Sequence, residues 1–169
     1  MKCFKLITNI ELTIIIYGDY ERRRIETIKK VVTVLQGDIE TISLKLSMYK
    51  LCQNGMGGDS DEASTTAFNV ANDILPNGSH IIHISDAFPH ILNNSPEANM
   101  ENIALRKEGK ITKYRDIGDK IISRGCTIHS ITSVSNIENH FRATYGRFND
   151  TGCLSNTNLT TWEVKRSLF

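Results

Sequence analysis

Across one turn, Pro76-Asn77-Gly78, the hydrophobic period of this chain changes from helical to extended. That switch constrains the fold more than any other stretch. Before it, Ala63, Ala67, Val70, Ala71, Ile74 and Leu75 recur at the three-and-four spacing of one helix face. After it, Ile81, Ile82 and Ile84 form a short β-branched run that reads as a buried strand. Upstream lies a loop rich in glycine (Gly55, Gly57, Gly58), followed by Asp59 and Ser60 as N-cap candidates. Asp61 and Glu62 then place negative charge where the dipole of the expected helix favours it. Loop, helix, turn and strand in that order make a crossover unit of an α/β protein. Ser85-Asp86 ends the strand, and in open parallel sheets that end is where ligands bind.

The flanking sequence repeats the alternation. Leu12, Ile14, Ile15 and Ile16, bounded by Gly18 and Asp19, predict a second buried strand. Residues 27–35 combine a strand-favouring Val-Val-Thr-Val with helical Ile-Lys-Lys spacing, and an edge strand is expected there. Ile42, Leu44, Leu46, Met48, Tyr49 and Cys52 predict a helix over 39–53. Residues 91–109 read as polar and irregular, with a short helix at 97–106. An amphipathic helix over 114–124 stops at Gly125, and Cys126, Ile128 and Ile131 predict the next strand. Beyond it, the pattern predicts a helix at 137–145, a strand near 152–154 and a closing helix at 159–168 with Trp162 on its apolar side.

At 169 residues the chain fits one domain with one ordinary core. Twenty basic and nineteen acidic side chains leave a formal charge of +1, so bulk electrostatics recruit neither nucleic acid nor an anionic membrane. Cys3, Cys52, Cys126 and Cys153 lie far apart with no CxxC pair, which argues against structural zinc and against a disulfide scaffold. Reduced, partly buried thiols in a cytoplasmic protein are expected instead. No apolar run approaches the ~20 residues that span a bilayer. The glycine loop lacks the Gly-Lys-Ser/Thr of a P-loop, and no Gly-x-Ser-x-Gly elbow occurs. His80 and His83, three apart on a strand, point to opposite faces and cannot share an ion.

GGDSDEA and HISDAFPH, preceded by IIIYGDY, together carry a resemblance. They resemble von Willebrand factor A-type domains, in particular the intracellular branch with a GGD-x-x-EA loop and a strand ending in DAPPH. Phe88 stands where that branch usually has proline. The resemblance runs from Glu11 onward. It implies a Rossmann-like doubly wound, mainly parallel sheet with one antiparallel edge strand and helices on both faces. It also implies a divalent cation, Mg²⁺, held above the sheet by three loops. Asp59 falls on the second of these and Asp86 on the third, with Ser60 and Ser85 as nearby oxygen donors. The first loop, Asp-x-Ser-x-Ser, has no match before Glu11, and eight or ten residues cannot hold a strand plus its crossover helix. The expectation is therefore an N-terminally truncated domain with a degenerate site that binds Mg²⁺ weakly or not at all. Asp19, ending the second strand, and His90, at the place of the DAPPH histidine, are further binding candidates. Their structural alternatives are a turn residue and a loop brace, as a helix cap and a turn residue are for Asp59 and Asp86.

The function these features imply is a non-enzymatic interaction domain whose loops near Asp59 and Asp86 engage an acidic group on a protein partner. Two alternatives stand beside it. One is a decayed or split fragment with no independent binding, oligomeric or completed by another chain. The other is a small hydrolase-like α/β domain with Asp86 and His90 in acid–base roles.

Overall fold

A computed structural model describes residues 11–20, 27–48, 61–85, 87–90 and 95–132. Strand β1 (Leu12–Tyr17) is followed by a single helical turn, α1 (Ile28–Val31), and strand β2 (Val32–Gly37). Helix α2 (Ile39–Met48) comes next, then a two-residue strand β3 (Asp61–Glu62) and helix α3 (Ser64–Ile74). Strands β4 (His80–Ser85) and β5 (Phe88–Pro89) precede helices α4 (Pro96–Lys107) and α5 (Tyr114–Ser123) and strand β6 (Thr127–Thr132). The expectations beyond Thr132 lie outside the described residues.

The chain is thus α/β, with both parallel and antiparallel pairing. β1 and β2 form an antiparallel ladder from Leu12 opposite Gly37 to Tyr17 opposite Val32. β4 and β6 are parallel, joined through α4 and α5, the long connection that parallel strands require. β3 and β5 add a parallel ladder of two residue pairs. These pairs form three separate two-stranded sheets among the described residues, so no single continuous sheet runs through them. β1 and β4 approach each other through side chains: the Tyr17 hydroxyl lies 2.8 Å from His83 Nε2.

Two apolar clusters flank α3. Tyr20, Ile28, Val31, Val32, Ala63, Ala104 and Leu105 pack between β1, β2, α3 and α4. Phe68, Tyr114, Ile117, Ile121, Cys126 and Ile128 pack between α3, α5, β4 and β6. Being wedged between them, α3 is buried nearly all round in its first two turns, including Ser64, Thr65, Thr66 and Asn69. Asn69 takes a backbone role there. Its Nδ2 donates to Ile111 O at 2.7 Å and its Oδ1 accepts from Ile111 N at 3.0 Å, binding the α4–α5 connection to α3.

The turn that ends α3 is closed by the turn that ends α5. Gly78 and Gly125 both have positive φ, 78° and 75°, which side chains with a Cβ resist. Gly78 N donates to Arg124 O at 3.1 Å. The Arg124 guanidinium donates to Asn72 O, Leu75 O and Asn77 Oδ1, satisfying carbonyls that the end of a helix leaves open.

Several expectations need correction. Residues 27–35 are not one edge strand, since α1 takes one helical turn before β2 begins at Val32. The short helix expected at 97–106, by contrast, is present as α4 and runs one residue further at each end, because Ser95 Oγ accepts from Ala98 N at 3.0 Å and Pro96 is set for its first turn. α2 buries only Ile42 of its apolar residues; Leu44, Leu46 and Met48 are exposed. Of the isoleucines of β4 only Ile81 packs against a core cluster. His83 and Ser85 face inward while Ile82 and Ile84 are 65% and 57% exposed. β1 is half-buried throughout.

Candidate functional site

Asp61 and Glu62 lie on β3 and not in a first helical turn, so the expected cap at Asp59 or Ser60 is displaced: α3 begins at Ser64. Its N-cap residue, Ala63, offers no side-chain acceptor. The acceptor comes from another helix. Glu101 of α4 is buried, and its Oε1 accepts from Thr66 N at 2.8 Å and from Thr66 Oγ1 at 2.7 Å. A carboxylate there satisfies a free N–H and meets the positive end of the helix dipole.

Glu101 anchors a wider buried network. Its Oε2 lies 2.9 Å from His90 Nδ1, and His90 Nε2 lies 3.2 Å from Asp19 Oδ1. Asp19 Oδ1 also accepts from Tyr20 N at 2.6 Å, and the Tyr20 hydroxyl is 3.1 Å from Thr66 Oγ1. Five side chains from the end of β1, the chain after β5, α3 and α4 close on one another. Burial by itself lowers the pKa of His90, but its contacts and charge interactions with Asp19 and Glu101 more than reverse this and push it up to about 10. The ring is an imidazolium at neutral pH. It has no lone pair with which to ligate a metal or accept a proton, so it serves as an ionic brace.

Two expected site residues, Asp19 and His90, are therefore brought together. Asp19 Oδ2 is buried and has no hydrogen-bond partner among the described residues. Ser85 is engaged locally: its Oγ donates to Ala87 O at 3.0 Å and accepts from Ala87 N at 3.2 Å, shaping the exit from β4. Asp59, Ser60 and Asp86 lie outside the described residues. The β3–β5 ladder nonetheless pairs Asp61 with Phe88 and Glu62 with Pro89. Asp59 and Asp86 each precede the Asp61–Phe88 pair by two residues in sequence.

Glu101, Thr66 and Tyr20 were not singled out from the sequence. Glu101 left a signal there, standing three residues after Ala98 and four before Leu105, inside the stripe that α4 buries. A charged residue in an apolar stripe calls for a buried partner.

The second inward histidine behaves oppositely. Burial lowers the pKa of His83 to about 4, keeping it neutral, and its ring lies 5.1 Å from that of Phe68. His80 is exposed, so the two histidines do face opposite sides of β4. Burial, with a smaller effect of Tyr17, pushes the Tyr114 hydroxyl well above its ordinary pKa. Cys126 is a free buried thiol whose Sγ lies 3.6 Å from Pro76 O. Among the described residues no group of three or more His, Cys, Asp or Glu side chains is arranged to hold a metal ion, and no helix is long and apolar enough to cross a membrane. Comparison with protein-family models, curated proteins and solved structures finds no match.

Proposed function

We propose that this chain is a non-enzymatic protein-interaction domain of von Willebrand factor A type. Its contact residues are Asp59 and Asp86, and the partner supplies an acidic group. The observation that carries this reading is the β3–β5 ladder. Asp59 and Asp86 each stand two residues before one member of the Asp61–Phe88 pair in sequence, and two residues span at most ~7 Å. The antiparallel β1–β2 edge and the parallel β4–β6 pair agree with a Rossmann-like arrangement. The Asp19–His90–Glu101 network supports the reading too, because Asp19 Oδ2 is left without a hydrogen-bond partner among the described residues and carboxylate oxygen is the ligand type that hard cations take. Mg²⁺ is at most a weak bridge here. With His90 held as an imidazolium, a hydrolase that uses it as a base has little support.

The test is Mg²⁺ titration of the full chain followed by amide NMR. Millimolar Mg²⁺ is expected to move resonances around residues 59, 86 and 19, and Asp86→Ala is expected to abolish those shifts. A glutamate-containing peptide should then perturb the same residues. Peptide-induced shifts confined to other surfaces, or none, would remove the interaction reading.

The separation of β1–β2 from β4–β6, with Ile82 and Ile84 open, favours a second reading: a domain completed by another chain. Sedimentation of the isolated chain distinguishes the two, since a domain in need of completion self-associates.

A further inference from the structure

In the parallel β4–β6 ladder His80 stands beside Thr127 and Ile82 beside His129. Side chains alternate between faces along a strand, and paired residues share a face. His80, Ile82, Ile84 and His129 therefore share the outer face of this pair. That face is open: His80, Ile82 and Ile84 are exposed and His129 is half-buried. The imidazoles of His80 and His129 stack, with centroids 6.0 Å apart and planes at 14°. No hydrogen bond ties either ring to another described residue.

We propose that His80 and His129 form a two-histidine site for a divalent transition ion of the zinc type. Imidazole nitrogen suits such ions, whereas Mg²⁺ prefers oxygen. Two imidazoles bound to one tetrahedral Zn²⁺ at ~2.0–2.1 Å have centroids roughly 5 Å apart. Closing from 6.0 Å takes about 1 Å of movement, together with rotation of the nearly parallel rings so that one nitrogen of each converges on the ion. The ion cross-links β4 to β6 and keeps two outward positions for water or for a side chain of a partner. The site is separate from the Asp19–His90–Glu101 network: His90 is buried, whereas His80 lies on the exposed face of β4. It does not depend on the interaction reading.

The test is calorimetric titration of the full chain with ZnCl₂ alone, repeated with His80→Ala, His129→Ala and the double variant. The thiols of the chain bind equally in all four proteins and appear as a common background. A chelate needs both arms, so either single variant should weaken the histidine-dependent event by about tenfold or more, because the second contact is effectively intramolecular. The double variant should then be no weaker than either single one. Singles that match the parent, or losses that simply add, overturn the proposal. Circular dichroism establishes that each variant is folded. His80→Gln and His129→Gln, which keep a polar side chain without an imidazole, give the same readout should an alanine variant unfold. Wild-type thermal unfolding should also shift upward with Zn²⁺ and not with equimolar Mg²⁺; no Zn²⁺-specific shift counts against the site.

Discussion

His90 and His83 are the same residue type in one molecule, held in opposite charge states by their neighbours. His90 lies between the carboxylates of Asp19 and Glu101, whereas His83 is buried against Phe68 and the Tyr17 hydroxyl. The signs for stability follow. The folded pKa of His90, about 10, is above its ordinary 6.5, so its contribution is complete below pH 6.5 and is lost as pH rises through about 10. The folded pKa of His83, about 4, is below 6.5, so its contribution is complete above pH 6.5 and is lost as pH falls through about 4. For His83 that difference is on the order of 3 kcal/mol. Urea denaturation across pH should therefore show greatest stability near pH 6.5, and His83→Phe should flatten the acid side. His90→Ala leaves two buried carboxylates facing each other without a cation and should cost about 3–5 kcal/mol. A loss below ~1 kcal/mol in urea denaturation would mean that the network is not closed as described.

Individual elements here are finished by side chains from elsewhere. α3 takes its N-terminal acceptor from Glu101 of α4 and its C-terminal donors from Arg124 beyond α5. Arg124→Ala should destabilise the protein by roughly 1.5–3 kcal/mol, the range for hydrogen bonds to a charged group. Hydrogen exchange should show the loss first at the end of α3, around Leu75. α4 supplies its own cap, so Ser95→Ala should cost about 1 kcal/mol in chemical denaturation and raise exchange in its first turn. The contrast explains what sequence reading could reach. Ser95-Pro96 is a local signal, legible once an apolar stripe is accepted behind it. The Glu101–Thr66 contact joins residues 35 positions apart and has no local signature beyond a misplaced charge.

For the whole molecule, the open face is the feature with consequences for association. Ile82, Ile84 and, on α2, Leu44 and Met48 are all more than half exposed. Ile82 and Ile84 share one face of β4, and exposed apolar surface of this kind marks contact sites or association hazards. Ile82→Lys together with Ile84→Lys should suppress self-association in sedimentation while changing monomer stability by no more than ~0.5 kcal/mol, as for other exposed positions. A large loss of stability would show instead that the face is covered in solution. The sequence by itself determined the α/β class, the strands Leu12–Tyr17 and His80–Ser85, the turn at Gly78 and helix α5, because each rests on local periodicity or on backbone preferences within a few residues. Tertiary structure decided which face of β4 is inward, where α3 starts and how the strands group. Those outcomes depend on partners far along the chain. Polar His83 and Ser85 turn inward where Phe68, Tyr17 and the β4 exit receive them, leaving Ile82 and Ile84 outside. Hydrophobic burial favours an apolar residue in any interior position, but it does not say which face of a strand becomes the interior.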